Sequence, residues 1–552
     1  MKGWTIGIGG SDHDFAAVLA RGCDIRVAIE QERISRIRYG EATWFRDPIG
    51  APVDYCLATE RVGLQEIESF VGTDTLPARI RSQWRGRSIE LYPHHLCHAA
   101  SAYLMLPPET RAGIVVYDGY GSIDREGTAN GRARRETVSL WRFTADGPER
   151  LGSAWGESTV EDDDFPLCVD NSVGMFYEML TGMLGYSPMD AGKTMGLAAF
   201  GTPCHIEMLE EFIEYRDDPA DCFRCDLSNP NLVEEIDRAL LAKRGGFAAR
   251  ADLAASAQLV VERALAHFLG FFDGLALDTV AISGGCALNS VANGRLARRL
   301  GRPLSIPPHA GDAGLGFGAL WVHARQLTGA NPHFSFRGGP TNPGLSRPGR
   351  GYEAGAIADA VAGAYPRLSR DASVSSPGDL AQLIAQGAII GVFNGPSEFG
   401  PRALGGRSLI ADPRNPGVRE RINREIKARE PFRPLAPMML ASRSDAYLQG
   451  DQGDAFMLNV VDVSPSAQKV APAATHVDGS ARVQRIDDAH GDPFLVQLLQ
   501  AFEQLTGVGM LLNTSFNRRG EPIVETPSDA VDAFIGMRLD GLYLNGEFYR
   551  LV

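Results

Sequence analysis

The stretch WTIGIGGSDHDFAAVLARGCDIRVAIEQER, residues 4–33, contains three apolar or alternating segments separated by glycines and short polar turns. This pattern is typical of a β-meander, in which side chains alternate between the two faces and turn residues separate the strands. A second group of the same kind follows in GIVVYDGYGS, TVSLWRFTADG and RLGSAWG, residues 113–156. Two such meanders separated by helical sequence predict duplicated α/β halves with a ligand cleft between them.

Helices and strands alternate through the rest of the chain. Apolar residues at three- and four-residue spacing predict helices over 171–186 and 251–272. The strand DTVAISGG, residues 278–285, runs through a glycine turn into a helix, an order that suits a nucleotide cleft because helix N-termini favour anions. Residues 328–352 are rich in Gly, Pro and Asn and predict an interdomain connection. We therefore expect two domains, residues 1–345 and a second α/β domain over 346–552.

Composition limits the partners of the protein. With 552 residues and a net charge of −14, the chain has no broad basic face, so nucleic acid and anionic membranes are poor candidate partners. The N-terminus has no signal-peptide pattern, and no apolar run approaches the roughly 20 residues that span a bilayer. Eight scattered cysteines predict reduced thiols and a cytoplasmic location. The one CxxC pair, Cys222 and Cys225, has no second pair to complete a zinc site, and we interpret it as two ordinary thiols.

PHHLCHAASAY, residues 93–103, is the first candidate functional motif. Pro93 suits the start of a helix, and a four-residue spacing places His94 and His98 on one face, where they can bind one divalent metal ion. Two imidazoles need carboxylates to complete a site, and the best candidates are Asp118 and Asp312, each beside glycines. His95 is expected to point to the side. A local role as a helix cap remains the alternative for the whole motif.

Two further segments carry weaker candidates for catalysis. SDHDFAA lies in the first hairpin turn, where His13 beside Asp14 is a candidate general base because its ordinary pKa lies near neutrality. An Asx turn with an exposed histidine is the alternative interpretation. Lys193 in AGKTMGLAAFG resembles a phosphate-binding lysine but fits no P-loop spacing.

The second domain contains an anion-binding pattern in an acidic protein. GPRALGGRS and the segment that follows it place cations among glycines, and arginine offers paired donors that match phosphate or carboxyl oxygens. The predicted pocket consists of Arg402, Arg407, Lys427, Arg433, Arg482, Asn513, Ser515 and Asn517. Arg419, Arg421 and Arg424 are interpreted as a solvated helix face.

Nine ordered blocks give the chain a resemblance to a known family. The blocks are SDHDFAAVLARG with EQERISR, HHLCHAASAY, DGYGS, GKTMGLAAFG, SGGCALNSVANGRL, PPHAGDAGLGFGAL, EFGPRALGGRSLIADPRN, FRPLAPM and LLNTSFNRRGEPIVETPSDA. In this order they resemble the antibiotic and nodulation-factor O-carbamoyltransferases of the tobramycin carbamoyltransferase type. The resemblance implies an actin/hexokinase-like N-terminal domain, similar to the threonylcarbamoyl transferases, and a YrdC-like C-terminal domain.

The resemblance also implies a two-step reaction. Carbamoyl phosphate and ATP would form a carbamoyl adenylate in the C-terminal domain, and a hydroxyl of a small natural-product acceptor would then displace AMP in the N-terminal domain. The implied metal ligands are His94, His98, Asp118 and Asp312, with Fe²⁺ expected and Mn²⁺ or Mg²⁺ as alternatives. ATP would enter with Mg²⁺. His13, Asp14 and Lys193 are the catalytic candidates. The N-terminal nucleotide contacts would be Gly284, Gly285, Asn289 and Gly314.

Three rival functions remain to be weighed. A threonylcarbamoyl transferase acting on tRNA fits the domain types, but the acidic balance argues against it. A hydrogenase-maturation carbamoyltransferase would be expected to have paired CxxC motifs, which the sequence lacks. A non-catalytic nucleotide sensor would need neither the histidine pair nor the arginine pocket. The sequence leaves the acceptor open and does not decide between a monomer and a homodimer.

Three features of the sequence bear on substrate binding. Two of them are departures from the family pattern, and the third is an acidic run. Ser122 stands where many relatives have glutamate, and Pro396 with Ser397 stands where a Gly-Arg-Met-like run is usual. Residues 123–170 are a candidate acceptor wall. The acidic run Glu161 to Asp164 within it would favour a cationic acceptor.

Overall fold

The computed structural model describes residues 3–11, 13–43, 47–124, 133–158, 168–242, 246–301, 303–336, 346–450 and 453–552. A mixed α/β fold is confirmed. The chain divides into two compact units, one comprising residues 1–24 and 63–334, the other 25–62 and 335–552. Among the described residues, no helix is long and apolar enough to cross a membrane.

The first unit contains the sheet that the opening stretch predicts. Its strands lie in the order Ala16–Arg21, Trp4–Gly9, Ile67–Thr73 and Ile89–Tyr92. Trp4–Gly9 and Ala16–Arg21 form an antiparallel hairpin, and the pairings with Ile67–Thr73 and then Ile89–Tyr92 are parallel. The turn of that hairpin contains His13, as the sequence predicts.

A second sheet of the first unit contains the second predicted meander. Ala112–Tyr117, Arg134–Thr144 and Gly147–Glu157 are paired antiparallel in that order. Thr279–Ser283 joins the other edge of Ala112–Tyr117 in parallel and is followed by Leu304–Ser305, while Ile123–Asp124 pairs with Arg134–Thr144. Asp118 therefore follows directly from a central, fully buried strand.

Helices pack on these sheets, and the four helices predicted for the first unit are confirmed: over 171–186, over 251–272, after the strand 278–285 and after Pro93. The helices are Ala78–Arg81, His94–Leu104, Val173–Met183, Ala191–Ala198, Ile206–Glu210, Pro230–Ala242, Phe247–Gly270, Ser290–Ala297 and Leu315–Thr328. A separate two-stranded hairpin pairs Ile213–Tyr215 with Phe223–Cys225. Short 3₁₀ turns occupy Leu64–Glu66, Pro188–Asp190, Gly285–Leu288 and Asp312–Gly314.

Helix Leu315–Thr328 packs closely against the histidine-bearing helix His94–Leu104. A Cβ added at Gly318 would lie 1.8 Å from the carbonyl oxygen of Cys97, a distance that no side chain tolerates. Only glycine permits this approach, because its missing side chain lets the two backbones meet. This contact holds helix Leu315–Thr328 against the histidine-bearing helix at the residue before His98.

The second unit is built on an eight-stranded sheet. Its strands lie in the order Leu368–Arg370, Glu547–Leu551, Gly541–Leu544, Ile390–Phe393, Arg407–Ala411, Met510–Ser515, Ala436–Leu440 and Gln484–Ile486. A three-stranded sheet contains Leu448–Gln449, Val460–Val463 and Ser480–Arg482, and two further strands are Asp24–Glu30 and Ser335–Phe336. Ile390–Phe393, Arg407–Ala411 and Met510–Ser515 lie at the centre of this sheet.

The helices of the second unit flank this sheet and bury its apolar side chains. They are Gln31–Ser35, Gly50–Glu60, Ala354–Gly363, Pro377–Ala385, Gly417–Glu420, Ser444–Tyr447, Pro465–Val470, Pro493–Thr506 and Pro527–Met537, with a π-helix at Arg421–Ile426. Further 3₁₀ turns lie at Arg38–Thr43, Ala441–Arg443 and Pro472–Ala474. Leu380 and Leu498 are fully buried where Pro377–Ala385 packs on Pro493–Thr506. The apolar faces of these two helices thus belong to one core.

The predicted domain boundary between residues 345 and 346 adjoins residues 337–345, which lie outside the described part of the chain, so it stays a prediction. One feature of the fold was not predicted: residues 25–62 belong to the second unit. Part of the predicted connection is also firmly held. Arg347 is buried, pairs with Asp492, and donates hydrogen bonds to the carbonyl oxygens of Pro396 and Asn394.

Candidate functional site

His94 and His98 lie on one face of helix His94–Leu104, as their spacing predicts. Their Nε2 atoms are 3.1 Å apart and lie 3.2 and 3.1 Å from the same carboxylate oxygen, Oδ2 of Asp118. Both imidazoles are fully buried. The pair therefore aims its nitrogens at one enclosed point.

Two carboxylates complete the group. Asp312 begins a 3₁₀ turn, and its Oδ1 lies 3.3 Å from Nε2 of His98 and 3.7 Å from Nε2 of His94. Asp118 Oδ1 accepts hydrogen bonds from the backbone N–H groups of Gly119 and Gly285, both at 2.9 Å. One donor atom from each of the four residues lies within 4.8 Å of all the others. Two imidazole nitrogens and two carboxylate oxygens at this separation fit a single divalent metal ion. We call these four residues the His-Asp quartet.

Hydrogen bonds outside the quartet hold His94 in place. Its Nδ1 is 2.7 Å from Oγ1 of Thr75, and its backbone N–H donates to the Oγ of Ser122 at 3.0 Å. The Ser122 hydroxyl donates in turn to Asp74 Oδ1 at 3.0 Å. Bonds of this type orient ligating histidines in metal sites. Ser122, the departure from the family pattern, thus accepts a hydrogen bond from the buried backbone N–H at the start of the histidine helix, which also donates to Asp74 Oδ1.

The imidazolium form of His98 and the carboxylate of Asp118 stabilise each other within the quartet. Burial lowers the pKa of His98, but its hydrogen bonds with Asp118 and Asp312 outweigh burial and raise the pKa to about 9. Burial raises the pKa of Asp118, and the bonds from His94 and His98 outweigh it and hold the pKa well below its usual range. His95 behaves differently: burial and the neighbouring His94 lower its pKa, and its Nδ1 contacts Ser139 instead. His95 lies outside the quartet, as predicted.

His13 and Asp14 lie beside the quartet. His13 Nδ1 is 3.1 Å from Asp14 Oδ2, and its side chain is about one third exposed. The charge of His13 contributes to lowering the pKa of Asp312, and the Ser11 hydroxyl two residues earlier donates to Asp312 Oδ2. An imidazole that is both accessible and close to the quartet has the geometry that a general base requires. Asp12 lies outside the described residues.

The structure places Lys193 in local contacts. Its ammonium group lies 2.9 Å from Asp190, three residues earlier, and 5.4 Å from the ring centre of Tyr186. Its proposed role in binding phosphate therefore stays a prediction.

The four predicted nucleotide residues have clear packing roles. Gly284 has a φ of +93°, and a Cβ there would lie 2.4 Å from the Tyr117 carbonyl oxygen. A Cβ at Gly314 would lie 1.9 Å from the His309 carbonyl oxygen. Asn289 caps helix Ser290–Ala297 and exchanges amide hydrogen bonds with Gln258. Together with the bond from Gly285 to Asp118, these contacts shape the loops around the quartet, and nucleotide binding by them stays a prediction.

The second unit brings most of the predicted anion-binding cations together. Burial, together with the charge of Arg433, lowers the pKa of Arg402 to about 10. Burial also holds the pKa values of Lys427 and Arg482 well below their usual ranges, with Arg433 again contributing in both cases. Cations that depress one another in this way lie close together and favour an anion between them.

Arg429 belongs to the same group but was not predicted. Burial and the charge of Arg433 lower its pKa to about 9, and its charge lowers the pKa of Lys427 and Arg482. Its Nη2 atom is buried without a hydrogen-bond partner. The spacing KAREPFR, in which Arg429 lies between Lys427 and Arg433, was the available sequence indication. We call the five residues Arg402, Lys427, Arg429, Arg433 and Arg482 the cation cluster.

The predicted polar residues support this cluster. The ammonium group of Lys427 donates to the carbonyl oxygen and the Oγ of Ser515, at 2.6 and 3.0 Å, and to Asn517 Oδ1 at 3.0 Å. Asn513 donates to the carbonyl oxygen of Ala403, next to Arg402, at 3.1 Å. The Oδ1 of Asn513 is buried without a hydrogen-bond partner. These residues hold Lys427 and the loop of Arg402 in place.

Arg407 differs from the other predicted cations. Its guanidinium lies 3.5 Å from the ring centre of Phe393, its Nη1 donates to the Gly395 carbonyl oxygen at 2.9 Å, and the side chain is fully buried. Its charge interactions are with Glu525, Glu398 and Arg347 rather than with the cluster. These are the contacts of a structural arginine, and substrate binding by Arg407 stays untested.

Other predictions concern the acceptor wall and the cysteines. Within the candidate acceptor wall, residues 125–132 and 159–167 lie outside the described residues, and Glu161 to Asp164 are among them. Arg421 and Arg424 pair with Asp540 and Glu420, as expected for a solvated helix face. All eight cysteines are free thiols, and burial raises the pKa of Cys222 to about 12.

Comparisons with known proteins agree with the motifs. The family models described as Carbamoyltransferase N-terminus and Carbamoyltransferase C-terminus match residues 75–320 and 381–550. The nodulation protein NolNO of Sinorhizobium fredii is 32% identical over 98% of this chain and 79% of its own length. The 3'-hydroxymethylcephem-O-carbamoyltransferase of Amycolatopsis lactamdurans is 33% identical over 62% of this chain and 61% of its own. A crystal structure of full-length HypF in the phosphate- and nucleotide-bound form is 14% identical over 60% of this chain and 57% of that one, and its TM-score of 0.41 is too low to establish a shared fold.

Proposed function

Because this chain belongs to the carbamoyltransferase family, we propose that it is an ATP-dependent O-carbamoyltransferase. It uses carbamoyl phosphate as donor and modifies a hydroxyl group of a small natural product. The cation cluster carries this proposal. Burial and mutual repulsion lower the pKa values of Arg402, Lys427, Arg429 and Arg482, with the charge of Arg433 contributing to each, and such a gathering of cations is costly without an anionic ligand.

The first step is activation in the second unit. Carbamoyl phosphate and one water give carbamate and phosphate; a carbamate oxygen then attacks the α-phosphorus of ATP, and pyrophosphate leaves with the bonding electrons. The product is a carbamoyl adenylate. The cation cluster neutralises the negative charge of both substrates and of the leaving pyrophosphate. Lys427, fixed by Ser515 and Asn517, is already oriented before substrate binds.

The second step is transfer in the first unit. The acceptor oxygen attacks the carbonyl carbon of the adenylate, the acceptor proton passes to a base, and AMP leaves with the electrons of the cleaved bond. His13 acts as the base because its imidazole is accessible and lies near the quartet, and Asp14 orients it through Nδ1. Lys193 is kept in this proposal as a catalytic candidate, and Gly284, Gly285, Asn289 and Gly314 are kept as nucleotide contacts.

The His-Asp quartet fits a divalent metal ion by its donor set and by the spacing of its donor atoms. His94, His98, Asp118 and Asp312 would hold it. A bound ion would supply positive charge for the phosphate of the nucleotide as negative charge develops there. The two nitrogen donors favour Fe²⁺ or Mn²⁺ over Mg²⁺.

The acceptor class is proposed from the named relatives. One relative is named for a cephem hydroxymethyl group and another for nodulation, so small polyol or oligosaccharide hydroxyls are the acceptors to test. The test incubates the protein with ATP, carbamoyl phosphate and a panel of such acceptors. AMP together with an acceptor heavier by one carbamoyl group is the expected result. ADP as the only nucleotide product would exclude the adenylate route.

A matched pair of variants tests whether the cation cluster acts in the activation step. Arg482→Met removes a member of the cation cluster, whereas Arg485→Met removes an arginine three residues later, on the next strand along the chain, which belongs to the eight-stranded sheet. We expect exchange of labelled pyrophosphate into ATP to fall about a hundredfold in the first variant only. Equal exchange in both would remove the cluster from the activation step.

A further inference from the structure

The EQER segment, residues 30–33, has no role in the two steps described above, yet it is firmly bound to the second unit. Arg33 is fully buried, and its Nη2 donates to the carbonyl oxygen of Gly400 at 2.6 Å across 367 residues of sequence. Glu30 Oε1 accepts the backbone N–H of the same Gly400 at 3.1 Å. Glu30 and Arg33 also pair with each other at 3.0 Å. Two charged side chains therefore hold the N–H and the C=O of one glycine and lock each other in place.

The glycine that they hold stands two residues before a member of the cation cluster. Gly400 has a φ of +98°, in the left-handed region that favours glycine, and Pro401 and Arg402 follow it. The direction in which the chain leaves Gly400 decides where Arg402 begins. A two-sided hold on Gly400 therefore sets one end of the segment that carries Arg402.

The other end of that segment is held from within the second unit. Glu398 Oε1 accepts the backbone N–H groups of Leu404, Gly406 and Arg407 at 2.9, 2.6 and 3.1 Å. Asn513 and Gln484 donate to the carbonyl oxygens of Ala403 and Leu404. Arg402 thus lies between two fixed points, of which the first depends on Glu30 and Arg33.

The position of Arg402 must be held because the cations of the cluster repel one another. Arg433 and Arg482 both carry the same charge as Arg402, so a loop free to move would relax by taking Arg402 away from them. Hydrogen bonds to charged groups are stronger than neutral ones and resist this movement. We infer that Glu30 and Arg33 are positioning residues that hold Arg402 in the anion-binding cluster. The inference rests on the proposed function for the identity of the anion.

Full-length variants test this inference. Arg33→Met removes the donor to the Gly400 carbonyl oxygen, Arg33→Lys keeps one donor group and the charge, and Arg26→Met removes an arginine of the preceding strand Asp24–Glu30 that pairs with Glu60 at 3.0 Å. Binding of inorganic pyrophosphate is measured by calorimetry, and the KM for ATP by carbamoyl-phosphate-dependent pyrophosphate exchange. We expect Arg33→Met to weaken pyrophosphate binding and raise the KM about tenfold or more, with partial rescue in Arg33→Lys and no change in Arg26→Met.

A double-variant cycle separates positioning from general destabilisation. If Arg33 acts through Arg402, Arg33→Met should add almost nothing to the loss already caused by Arg402→Gln. Fully additive losses, or equal losses in Arg33→Met and Arg26→Met, would overturn the inference.

Failure of the proposed function gives a different result. Wild-type protein that neither binds pyrophosphate nor exchanges it would exclude the activation site itself. Amide hydrogen exchange over residues 398–407 then decides the positioning role without any ligand. Faster exchange in Arg33→Met than in Arg26→Met supports the role, and equal exchange in both overturns it.

Discussion

The Nε2 atoms of His94 and His98 lie 3.1 Å apart. Two unprotonated imidazole nitrogens at this distance would direct lone pairs at each other, so a proton or a cation must lie near them. The carboxylates of Asp118 and Asp312 converge on the same point, and together the four groups can surround a metal ion. The geometry indicates a binding site rather than a helix cap, because a cap would direct its hydrogen bonds at the backbone.

The first prediction concerns metal content. His94→Ala and His98→Ala should each reduce the affinity for Fe²⁺ or Mn²⁺ at least tenfold, because each removes a direct ligand. His95→Asn is the matched control, since His95 lies between them on the same helix and contacts Ser139 instead. Metal retained by purified protein is measured by inductively coupled plasma mass spectrometry. Equal metal content in His94→Ala and His95→Asn would show that the quartet is not the metal site.

The second prediction concerns Thr75, whose Oγ1 lies 2.7 Å from Nδ1 of His94. Thr75→Val removes the hydroxyl while keeping the shape, so His94 loses the contact that fixes its ring. We expect about a tenfold lower metal affinity in this variant. Thr75→Ser keeps the hydroxyl and should bind metal as the wild type does. Titration with Mn²⁺, followed by its paramagnetic resonance signal, measures both, and equal affinities would mean that the contact has no effect on the metal.

Sequence and structure agree best where the pattern is local. The four-residue spacing of His94 and His98 places them on one helical face whatever the rest of the chain does. Asp118 and Asp312 are different, because they come from a strand end and a 3₁₀ turn about 190 residues apart. Spacing made them candidates only, and the family resemblance selected them.

Long-range contacts account for what the sequence did not predict. The packing of residues 25–62 with the second unit depends on bonds such as that between Arg33 and Gly400, and no local period reports such a bond. Arg429 was missed for a related reason. An arginine in a polar segment is usually solvated, and only the folded chain places this one beside Arg433. Arg407 belongs to the predicted pocket because of its glycine-rich neighbourhood, which does not reveal that the side chain turns inward, and substrate binding by Arg407 stays a prediction.

The third prediction concerns Glu136, a buried carboxyl group near His95. Burial raises its pKa from 4.5 to about 7, against the opposing charge of Arg150. The folded state binds this proton more tightly than the unfolded state does. The free energy of unfolding of the wild type, compared with that of a variant that does not titrate, is therefore greatest below pH 4.5 and falls until about pH 7. Glu136→Gln should therefore become more stable than wild type as the pH rises through this window, by roughly 3 kcal/mol at pH 8.

Urea unfolding at several pH values measures this difference. Glu149→Gln is the control, because Glu149 lies on the paired strand, is half exposed, and bonds to the exposed Arg142. Its stability relative to wild type should change by well under about 1 kcal/mol across the same range. A flat difference for Glu136→Gln would mean that this carboxyl group titrates normally in the folded protein.

The fourth prediction concerns Gly318, where helix Leu315–Thr328 meets the histidine-bearing helix His94–Leu104. A Cβ there would lie 1.8 Å from the Cys97 carbonyl oxygen, so Gly318→Ala must push the two helices apart. We expect a loss of about 1–3 kcal/mol in the free energy of unfolding, the usual cost of overpacking. Because Cys97 precedes His98, metal affinity should fall as well, by about tenfold.

Gly270→Ala is the matched control: Gly270 is the last residue of another helix of the same unit, and a Cβ there meets nothing within 4 Å. That variant should be slightly more stable than wild type, by up to about 1 kcal/mol, because alanine loses less conformational freedom than glycine in a helix. Urea unfolding gives the two free energies, and Mn²⁺ titration gives the two affinities. Reduced stability with unchanged metal binding in Gly318→Ala would show that the quartet tolerates displacement of its helix, and equal behaviour of the two variants would contradict the close packing at Gly318.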